Sequence, residues 1–463
     1  MSAWPSGLCV YYPHPFTRPG AIEAGLSVLV LAAATIAAIA SAKTRPYVTV
    51  GWFWFVGTLV PVIGVVQVGS QLMADRYSYV PLMGVFVALA WTVDSVIAES
   101  RRDARAVRRR VTAVVAGVGL FLAGVTWRQS GYWKASVTLF QRVLDVTSKN
   151  APAHTFMAQT LFPLGREEEA IGHYEEAVRI SPHDADSCYN LGYAYSLKGR
   201  LEDAGRMFRE AFRLRPDHAH ANFHLGRMAV EAGRHEAAVG HLMQALATDR
   251  TLLGGHELIG QALYELGRFD EAVSHLLRWL EVSPGATATR FRLGRSLFIL
   301  GAVEDAAEEL ATVVKQTPND PYAHAALGQA LTPLGRIGEA LEAYEMAMVL
   351  KPDFVEAINN VARIRATYRD GRFRDGAKAV ELALRACELT EFGNAVALDT
   401  LAAAYAEMGW FDQATTTEEK ALSQAQVAGN AEMATLLQGR LELFRRHEPL
   451  REPSDLSGTV DRP

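Results

Sequence analysis

A repeat of 34 residues constrains this chain more than any other feature, because residue types that return at a fixed period require a stack of like units. Six copies follow one pattern closely from Ala151 onward. Two looser copies are centred on Ala362–Ala386 and Ala402–Ala421. In the cleanest copy the small, large apolar and helix-ending residues are Leu191, Gly192, Tyr195, Gly199, Ala204, Phe208, Ala211 and Pro216.

The residue types at these spacings describe two antiparallel helices in each repeat. Glycine or alanine at the eighth position, with alanine at the twentieth and twenty-seventh, lets two helix backbones approach closely. Large residues at the seventh, eleventh and twenty-fourth positions fill the remaining space. Glycine at the fifteenth position ends the first helix, and proline at the thirty-second ends the second. One pair cannot bury its own apolar face, so the pairs must stack.

This pattern resembles the tetratricopeptide repeat (TPR) family over about 280 residues. The resemblance implies an all-α fold with a right-handed superhelix of about eight repeats over residues 151–428. We expect a joining half-repeat at 133–150, a capping helix at 429–448 and a disordered tail at 449–463. Pro163 and Pro333 should shorten or kink the first helices of their repeats, and Arg369–Gly376 contains an insertion of about five residues.

Four apolar stretches precede the repeats, and charged residues are concentrated in the spacers between them. Each stretch has about 17 to 22 residues, which is enough to cross a hydrocarbon core of about 30 Å as a helix. We therefore predict a membrane domain of about four transmembrane helices over residues 22–128. The four stretches are Ile22–Ser41, Tyr47–Val68, Val80–Ala98 and Val111–Trp127.

Lysine and arginine are concentrated in the first and third spacers, at Lys43–Arg45 and Arg101–Arg110. Because short cytoplasmic loops are enriched in these residues, both spacers are predicted to be cytoplasmic. The repeats and the N-terminal segment, residues 1–21, then lie on the non-cytoplasmic side, and we expect a bacterial inner membrane. No signal-peptide pattern precedes Ile22, so the chain either starts outside or lacks upstream helices of a longer protein.

Composition and motifs argue against several other functions. A formal net charge of −5 does not favour a nucleic-acid partner. The three cysteines, Cys9, Cys188 and Cys387, show no disulfide framework and no metal-ligand spacing. His220 and His224 stand four residues apart and could offer two metal ligands, but a groove-lining role is favoured because no third ligand follows by spacing. We predict no catalytic residues in the repeats, no metal and no cofactor.

In the TPR family the second, fifth, ninth and twelfth positions of each repeat point into a concave groove that binds peptides. By this resemblance, a protein or peptide partner would contact a mixture of aromatic, amide and arginine side chains. The alternative is that these side chains only hydrate an idle groove. The predicted groove residues are Tyr189, Tyr193, Phe223, Arg227, Gln261, Tyr264, Phe291, Arg295, Phe298, Gln329, Asn359 and Arg363, with Asn190 and Asn360 at the sixth position.

Two segments of the membrane domain, Gly51–Gly69 and Ala74–Gly84, resemble the later transmembrane half of GT-C-type protein O-mannosyltransferases that end in TPR repeats, and of their bacterial relatives. The resemblance covers about 130 residues and implies a polyprenyl-phosphate sugar as a lipid partner. In those enzymes the catalytic acid lies in an N-terminal half that has no counterpart in this sequence. Arg76 is the candidate for contact with a lipid phosphate, although it could instead only pair with Asp75.

Two hypotheses follow from these patterns. The chain is a membrane-anchored TPR scaffold that binds extracytoplasmic proteins or peptides without catalysis of its own. Alternatively, it is the C-terminal part of a polyprenyl-phosphate-sugar-dependent protein glycosyltransferase whose repeats recruit the protein acceptor. A soluble, co-chaperone-like TPR protein conflicts with the four apolar stretches.

Overall fold

The computed structural model describes residues 21–59, 79–99 and 104–451, and every regular element in these ranges is helical. The first four helices overlap the four apolar stretches: α1 (Ala21–Ala40), α2 (Pro46–Leu59), α3 (Tyr79–Glu99) and α4 (Ala104–Ser130). Arg76, residues 1–20 and residues 452–463 lie outside the described ranges. The predictions for Arg76, for the N-terminal segment and for most of the tail therefore fall outside the described residues.

Two of the described helices are long and apolar enough to span a membrane, at Leu82–Glu99 and Arg105–Lys134. A shorter apolar helix covers Gly25–Ala40. Many large apolar side chains on these helices are exposed rather than packed against protein, and Leu120 is 77% exposed. The described residues thus contain two candidate spans, and the count of four stays a prediction.

Helices α2 and α3 meet at two glycines. A Cβ atom on Gly51 would lie 2.4 Å from the carbonyl oxygen of Gly84, and one on Gly84 would lie 2.5 Å from the carbonyl oxygen of Gly51. Neither position has room for a side chain, so the two backbones touch directly. Small residues are typical of helix contacts in membranes, where close packing replaces the hydrophobic effect as the source of attraction.

From Ala151 to Val427 the chain forms eight consecutive pairs of helices. The helix α5 (Ser136–Val146) precedes them and α22 (Ala431–Arg445) follows them. The number of pairs agrees with the predicted eight repeats. The pairs are α6 (Ala151–Leu161) with α7 (Glu167–Ile180), α8 (Ala185–Leu197) with α9 (Leu201–Leu214), α10 (Ala219–Glu231) with α11 (His235–Thr248), α12 (Gly254–Glu265) with α13 (Phe269–Val282), α14 (Thr287–Ile299) with α15 (Val303–Gln316), α16 (Pro321–Leu331) with α17 (Ile337–Leu350), α18 (Val355–Thr367) with α19 (Gly376–Leu389), and α20 (Ala395–Glu407) with α21 (Phe411–Val427).

In seven of the eight pairs, all but α18 with α19, the turn between the two helices contains a glycine with a positive φ angle. Gly199 has a φ of 72°, a left-handed conformation that favours glycine and ends the first helix. The two prolines also act as predicted. Helix α6 ends at Leu161 and continues as a 3₁₀ turn at Phe162–Leu164, and α16 ends at Leu331, two residues before Pro333.

Within a pair, the two helices approach each other closely at the eighth position of the repeat. A Cβ atom on Gly226 would lie 2.5 Å from Cγ of Leu242, a fully buried side chain at the twenty-fourth position. The contact requires glycine because no side chain fits between the two helices. In the other repeats with glycine at this position the corresponding distances are 2.6 to 2.9 Å, for the pairs Gly192–Phe208, Gly260–Leu276, Gly294–Leu310 and Gly328–Tyr344.

The contacts divide the chain into two compact units, Met1–Ala221 and Asn222–Pro463. In the first unit, Cys188 belongs to a small buried apolar cluster. In the second unit, Leu310, Ile358 and other buried side chains form a larger apolar core. Each unit therefore has its own core.

Three charged side chains are buried at the C-terminal end of the second unit. They are Asp399 on α20, Glu418 on α21 and Arg440 on α22, and none is more than 8% exposed. Arg440 donates a hydrogen bond to Asp399, and the Glu418 carboxyl group lies beside the Asp399 carboxylate. Burial raises the pKa of Glu418, and the neighbouring Asp399 carboxylate raises it further. A proton on Glu418 leaves this cluster without net charge at neutral pH.

Gly226 and Gly240 offer a matched pair of substitutions within one repeat. Gly226→Ala places a Cβ atom against buried Leu242 and should lower the free energy of unfolding by about 1–3 kcal/mol. Gly240→Ala meets nothing within 4 Å and should raise it by up to about 1 kcal/mol, because alanine is the better helix former. Thermal unfolding followed by circular dichroism should give a lower unfolding temperature for Gly226→Ala and a higher one for Gly240→Ala than for the native chain. Shifts of equal sign would contradict the close approach at Gly226.

Glu418→Gln tests whether the buried acid is neutral. Glutamine resembles the protonated acid but does not titrate in the folded or the unfolded chain. A raised pKa gives Glu418 a stabilising contribution that is complete below the unfolded pKa of about 4.3 and is lost as the pH rises. The variant and the native chain should therefore unfold at similar temperatures at low pH, and the variant should become progressively the more stable between pH 5 and pH 8.

The control for this experiment is Glu419→Gln, which removes an exposed carboxylate from the neighbouring position of the same helix. It should show no such dependence on pH. Greater stability of the native chain at pH 8 would mean that Glu418 is ionised in the folded protein.

Candidate functional site

The predicted groove residues all lie on first helices, and they are divided between the two units. Tyr189, Asn190 and Tyr193 lie on α8 in the first unit. The others lie on α10, α12, α14, α16 and α18 in the second unit. The structure therefore offers two separate candidate surfaces, one in each unit.

In the first unit, three neighbouring aromatic rings, which we term the aromatic set, are Tyr193, Tyr189 and His220, with half-buried Tyr189 between the other two. The ring centroid of Tyr189 lies 6.2 Å from that of Tyr193 and 5.5 Å from that of His220, and the rings are tilted by only 24° and 27°. Tyr193 is 42% exposed, and His220 is also exposed. Burial raises the pKa of Tyr189 to about 12, so its hydroxyl group stays protonated at neutral pH and can donate a hydrogen bond.

His218 supports the aromatic set and was not selected from the sequence. Its ring centroid lies 5.1 Å from that of Tyr189. Its Nδ1 atom accepts a hydrogen bond from the Ala221 N–H at 3.2 Å, which leaves Nε2 to donate to the Asp186 carboxylate at 3.2 Å. Burial and the nearby Arg215 lower the pKa of His218, so the ring is neutral at neutral pH. No groove position of the repeat marks His218, because it precedes the first residue of α10.

The predicted aromatic residues of the second unit are partly buried. Phe223, Phe291 and Phe298 pack against the apolar cores of their repeats. Tyr264 makes an edge-to-face contact with Phe269, with 5.5 Å between the ring centroids. These four predicted residues therefore contribute to packing and present only part of their surface to a ligand.

The remaining polar groove residues of the second unit have mixed surroundings. Arg227 is half-buried, and its Nε atom lies 3.9 Å from Glu231 without a hydrogen bond. Gln261 is also half-buried. Asn190 and Asn360, the predicted pair at the sixth position, are half-buried in the first and second unit respectively.

Three side chains from successive first helices form a hydrogen-bonded line that we term the polar rail: Arg295, Gln329 and Glu356. The Arg295 Nη1 atom donates to Gln329 Oε1 at 2.6 Å, and Gln329 Nε2 donates to Glu356. Arg295 and Gln329 are 34 residues apart, so equivalent positions of successive repeats face each other here. Glu356 was not among the predicted residues, although it occupies the second position of its repeat, which the family pattern directs into the groove.

Asn359 and Arg363 continue the face of α18 that carries Glu356, because they follow it by three and seven residues. Asn359 is only 7% exposed, and its Oδ1 atom has no hydrogen-bond partner. A buried acceptor left unpaired costs about 1–3 kcal/mol, so pairing this oxygen is favourable. Burial raises the pKa of Tyr344, and the nearby charges act in both directions: Arg363 and Arg295 lower this pKa, whereas Glu356 raises it.

Possible metal ligands and cysteine thiols are two kinds of reactive side chain in the described residues. Within residues 21–59, 79–99 and 104–451, no group of three or more His, Cys, Asp and Glu side chains is arranged to hold a metal ion. Cys188 and Cys387 are buried, and burial raises the pKa of each thiol to about 11. Both thiols are therefore protonated at neutral pH and poor nucleophiles.

Comparison with known proteins identifies the repeats. Three family models match the chain: a tetratricopeptide repeat model at residues 258–330, a TPR repeat model at residues 158–199 and a second tetratricopeptide repeat model at residues 189–251. Among solved structures, the TPR protein YrrB is 24% identical, with a TM-score of 0.38, and the match covers 40% of this chain and 96% of YrrB. The predicted likeness to the TPR family is confirmed.

The curated relatives include protein O-mannosyl-transferases. The protein O-mannosyl-transferase TMTC1 of Mus musculus is 26% identical over 172 residues, which is 36% of this chain and 18% of the mouse protein. The protein O-mannosyl-transferase Tmtc3 of Drosophila melanogaster is 25% identical over 143 residues, which is 31% of this chain and 15% of the fly protein. The chain thus spans less than a fifth of the length of each of these relatives.

Proposed function

We propose that this chain, a tetratricopeptide repeat protein that resembles the TPR-containing O-mannosyltransferases, is a membrane-anchored scaffold that binds extended protein or peptide segments along its first helices. The observation that carries the proposal is the polar rail, together with the unpaired oxygen of Asn359 beside it. These side chains present donors and acceptors across three successive first helices.

The polar rail suits an extended backbone because it contains both kinds of hydrogen-bonding group. Arg295 only donates, Glu356 only accepts and Gln329 does both. A peptide backbone offers N–H and C=O groups about every 3.3 Å, so one extended segment can meet several rail members. Each hydrogen bond that the peptide makes to a rail group with spare donor or acceptor capacity contributes about 0.5–1.5 kcal/mol, so several are needed for useful affinity.

In the first unit, the aromatic set would bind the extended protein or peptide segment. Tyr189, Tyr193 and His220 provide rigid rings that a ligand can cover at a small cost in side-chain entropy. Tyrosine is enriched among the residues that dominate binding energy at protein interfaces. In the first unit, therefore, apolar contact area would supply most of the affinity.

The membrane side of the repeats is also part of the proposal. The basic spacers at Lys43–Arg45 and Arg101–Arg110 favour the cytoplasm, so the repeats that follow α4 belong on the non-cytoplasmic side. In a bacterial inner membrane, the first helices would then face proteins of the periplasm.

Replacing the rail should weaken peptide capture without unfolding the chain. Peptides selected from a random phage-displayed dodecapeptide library on the full-length protein supply the probe. The double variant Arg295→Met, Gln329→Leu removes the donors and acceptors that two successive repeats contribute, so the dissociation constant should rise by on the order of tenfold. Fluorescence anisotropy with a labelled selected peptide measures the change.

The matched control is Lys315→Met on the second helix α15, which also removes an exposed charge but does not lie on the first helices. Equal loss of binding in the control, or full binding by the rail variant, would contradict the assignment. The same labelled peptide should bind intact spheroplasts that produce the protein. Binding that appears only after permeabilisation would place the repeats in the cytoplasm.

A second candidate function is supported by the O-mannosyltransferase relatives. The chain would be the C-terminal part of a polyprenyl-phosphate-sugar-dependent protein glycosyltransferase, and its repeats would recruit the protein acceptor. Segments Gly51–Gly69 and Ala74–Gly84 resemble the membrane half of such enzymes. In this function Arg76 contacts the lipid phosphate at the membrane surface.

Native mass spectrometry of the full-length protein tests this candidate. Polyprenyl phosphate added to the detergent-solubilised chain should be retained, and Arg76→Gln should reduce retention on the order of tenfold because it removes a charge-assisted hydrogen bond. Arg45→Gln, which changes an arginine of the predicted cytoplasmic spacer, should leave retention unchanged. Equal retention by all three proteins would remove Arg76 from the lipid site.

A further inference from the structure

The second unit contains a cleft of about 430 Å³ between α17, α18 and α19. This volume lies within the range typical of small-molecule sites, about 300–1,000 Å³. Met348 and Val349 of α17 line one wall, Leu382 of α19 lines the other, and Val361 of α18 lies between them. The cleft therefore has apolar surface on all three helices.

The cleft lies on a different face of α18 from the polar rail. Asn359 and Arg363 belong to the rail face, whereas Val361 and Arg365 line the cleft. Residues two positions apart in an α-helix are separated by a rotation of about 200°. Val361 and Arg365 therefore point in nearly the opposite direction to Asn359 and Arg363. A ligand in the cleft would not touch the rail, and the inference does not depend on the proposed function.

The insertion predicted from the sequence lies beside this cleft and fixes its geometry. It forms a 3₁₀ turn at Gly371–Phe373 between α18 and α19. Arg374 ties the turn to α20 by donating to Glu407 at 2.9 Å. The Asp375 N–H donates to the carbonyl oxygen of Arg365 at 2.9 Å, which joins the end of α18 to the start of α19. These hydrogen bonds fix the connection between α18 and α19 that borders the cleft.

Five charged side chains line the cleft: Glu345, Arg365, Asp375, Lys378 and Arg385. Arg365 lies 3.4 Å from Glu345 and Lys378 lies 2.8 Å from Glu381, so both of these cations are compensated. The Asp375 carboxylate caps the N-terminus of α19 by accepting a hydrogen bond from the Lys378 N–H. Arg385 instead donates to the carbonyl oxygen of Pro352 at 2.6 Å and makes no ion pair among the residues that the structure describes. A guanidinium group has five N–H donors, so Arg385 keeps donors for a further partner. Arg385 follows Asp375 by ten residues, or about 15 Å along α19, so its charge stands apart from that carboxylate. The part of the cleft around Arg385 therefore suits a ligand with an apolar body and one negative charge.

We propose that the cleft binds an amphipathic carboxylate, a small molecule with one apolar chain and a single carboxylate group. The chain packs against Met348, Val361 and Leu382, and its removal from water drives binding. The carboxylate pairs with the Arg385 guanidinium, for which two parallel hydrogen bonds are the favoured geometry. The site thus selects both for the charge and for the apolar chain.

Octanoate tests the proposal on the full-length chain held in detergent-free peptidiscs. Titration followed by the ¹³C chemical shift of the octanoate carboxyl group should show saturable binding. Acetate has the charge without the chain, and 1-octanol has the chain without the charge. Each should therefore bind the cleft at least about tenfold more weakly than octanoate and compete with it correspondingly poorly. Equal competition by 1-octanol would show that the carboxylate is not recognised and would overturn the proposal.

Two substitutions locate the bound octanoate. Val349→Glu places a carboxylate at the exposed wall of the cleft and should weaken binding by about tenfold or more through repulsion and loss of apolar contact. Met346→Glu changes another exposed residue of α17 that does not line the cleft, and it should bind octanoate like the native chain. Arg385→Gln should lower the affinity for octanoate to about the affinity that the native chain has for 1-octanol. Native affinity in Val349→Glu, or no saturable binding by the native chain, would overturn the proposal.

Discussion

The packing of glycine against a large side chain sets the geometry of the repeats. At Gly226 the backbone of a first helix lies so close to Leu242 that a methyl group would not fit, and the same contact recurs in other repeats with glycine at this position. The contact fixes the distance between the two helices of a pair and commits one face of the first helix to its partner. Other faces remain available for functional side chains, and both the aromatic set and the polar rail lie there. Packing in one direction thus determines where binding can occur.

Much of this architecture could be predicted from the sequence because each rule acts locally. Gly199 ends a helix through its own backbone conformation, and Pro163 and Pro333 shorten helices through their rings. The membrane region is harder to predict from the sequence, because an apolar stretch can span a membrane only if the whole stretch forms one continuous helix. Helix α2 is described over Pro46–Leu59, and its predicted span continues beyond the described residues.

The candidate site was less predictable because side chains select partners in three dimensions. Family positions placed Arg295 and Gln329 on one surface, and the structure joins them through a hydrogen bond. The same positions gave no sign that Phe291 and Phe298 would be partly used in the core, since aromatic residues suit both a groove and a core. His218 lay beyond prediction for another reason: its role depends on Asp186 from the previous repeat, and no local pattern records that contact.

The polar rail has a consequence for the mechanics of the second unit. Its three members belong to three different repeats, and in repeat proteins each unit is held mainly by its nearest neighbours. A bound segment with hydrogen bonds to all three members would connect three successive repeats across the two interfaces between them. Local unfolding of one repeat would then break the contacts of the bound segment with the other two. With the segment bound, the three repeats would therefore unfold together, whereas without it they would unfold one at a time. Ligand binding and the length of chain that unfolds together would be coupled through the same three side chains.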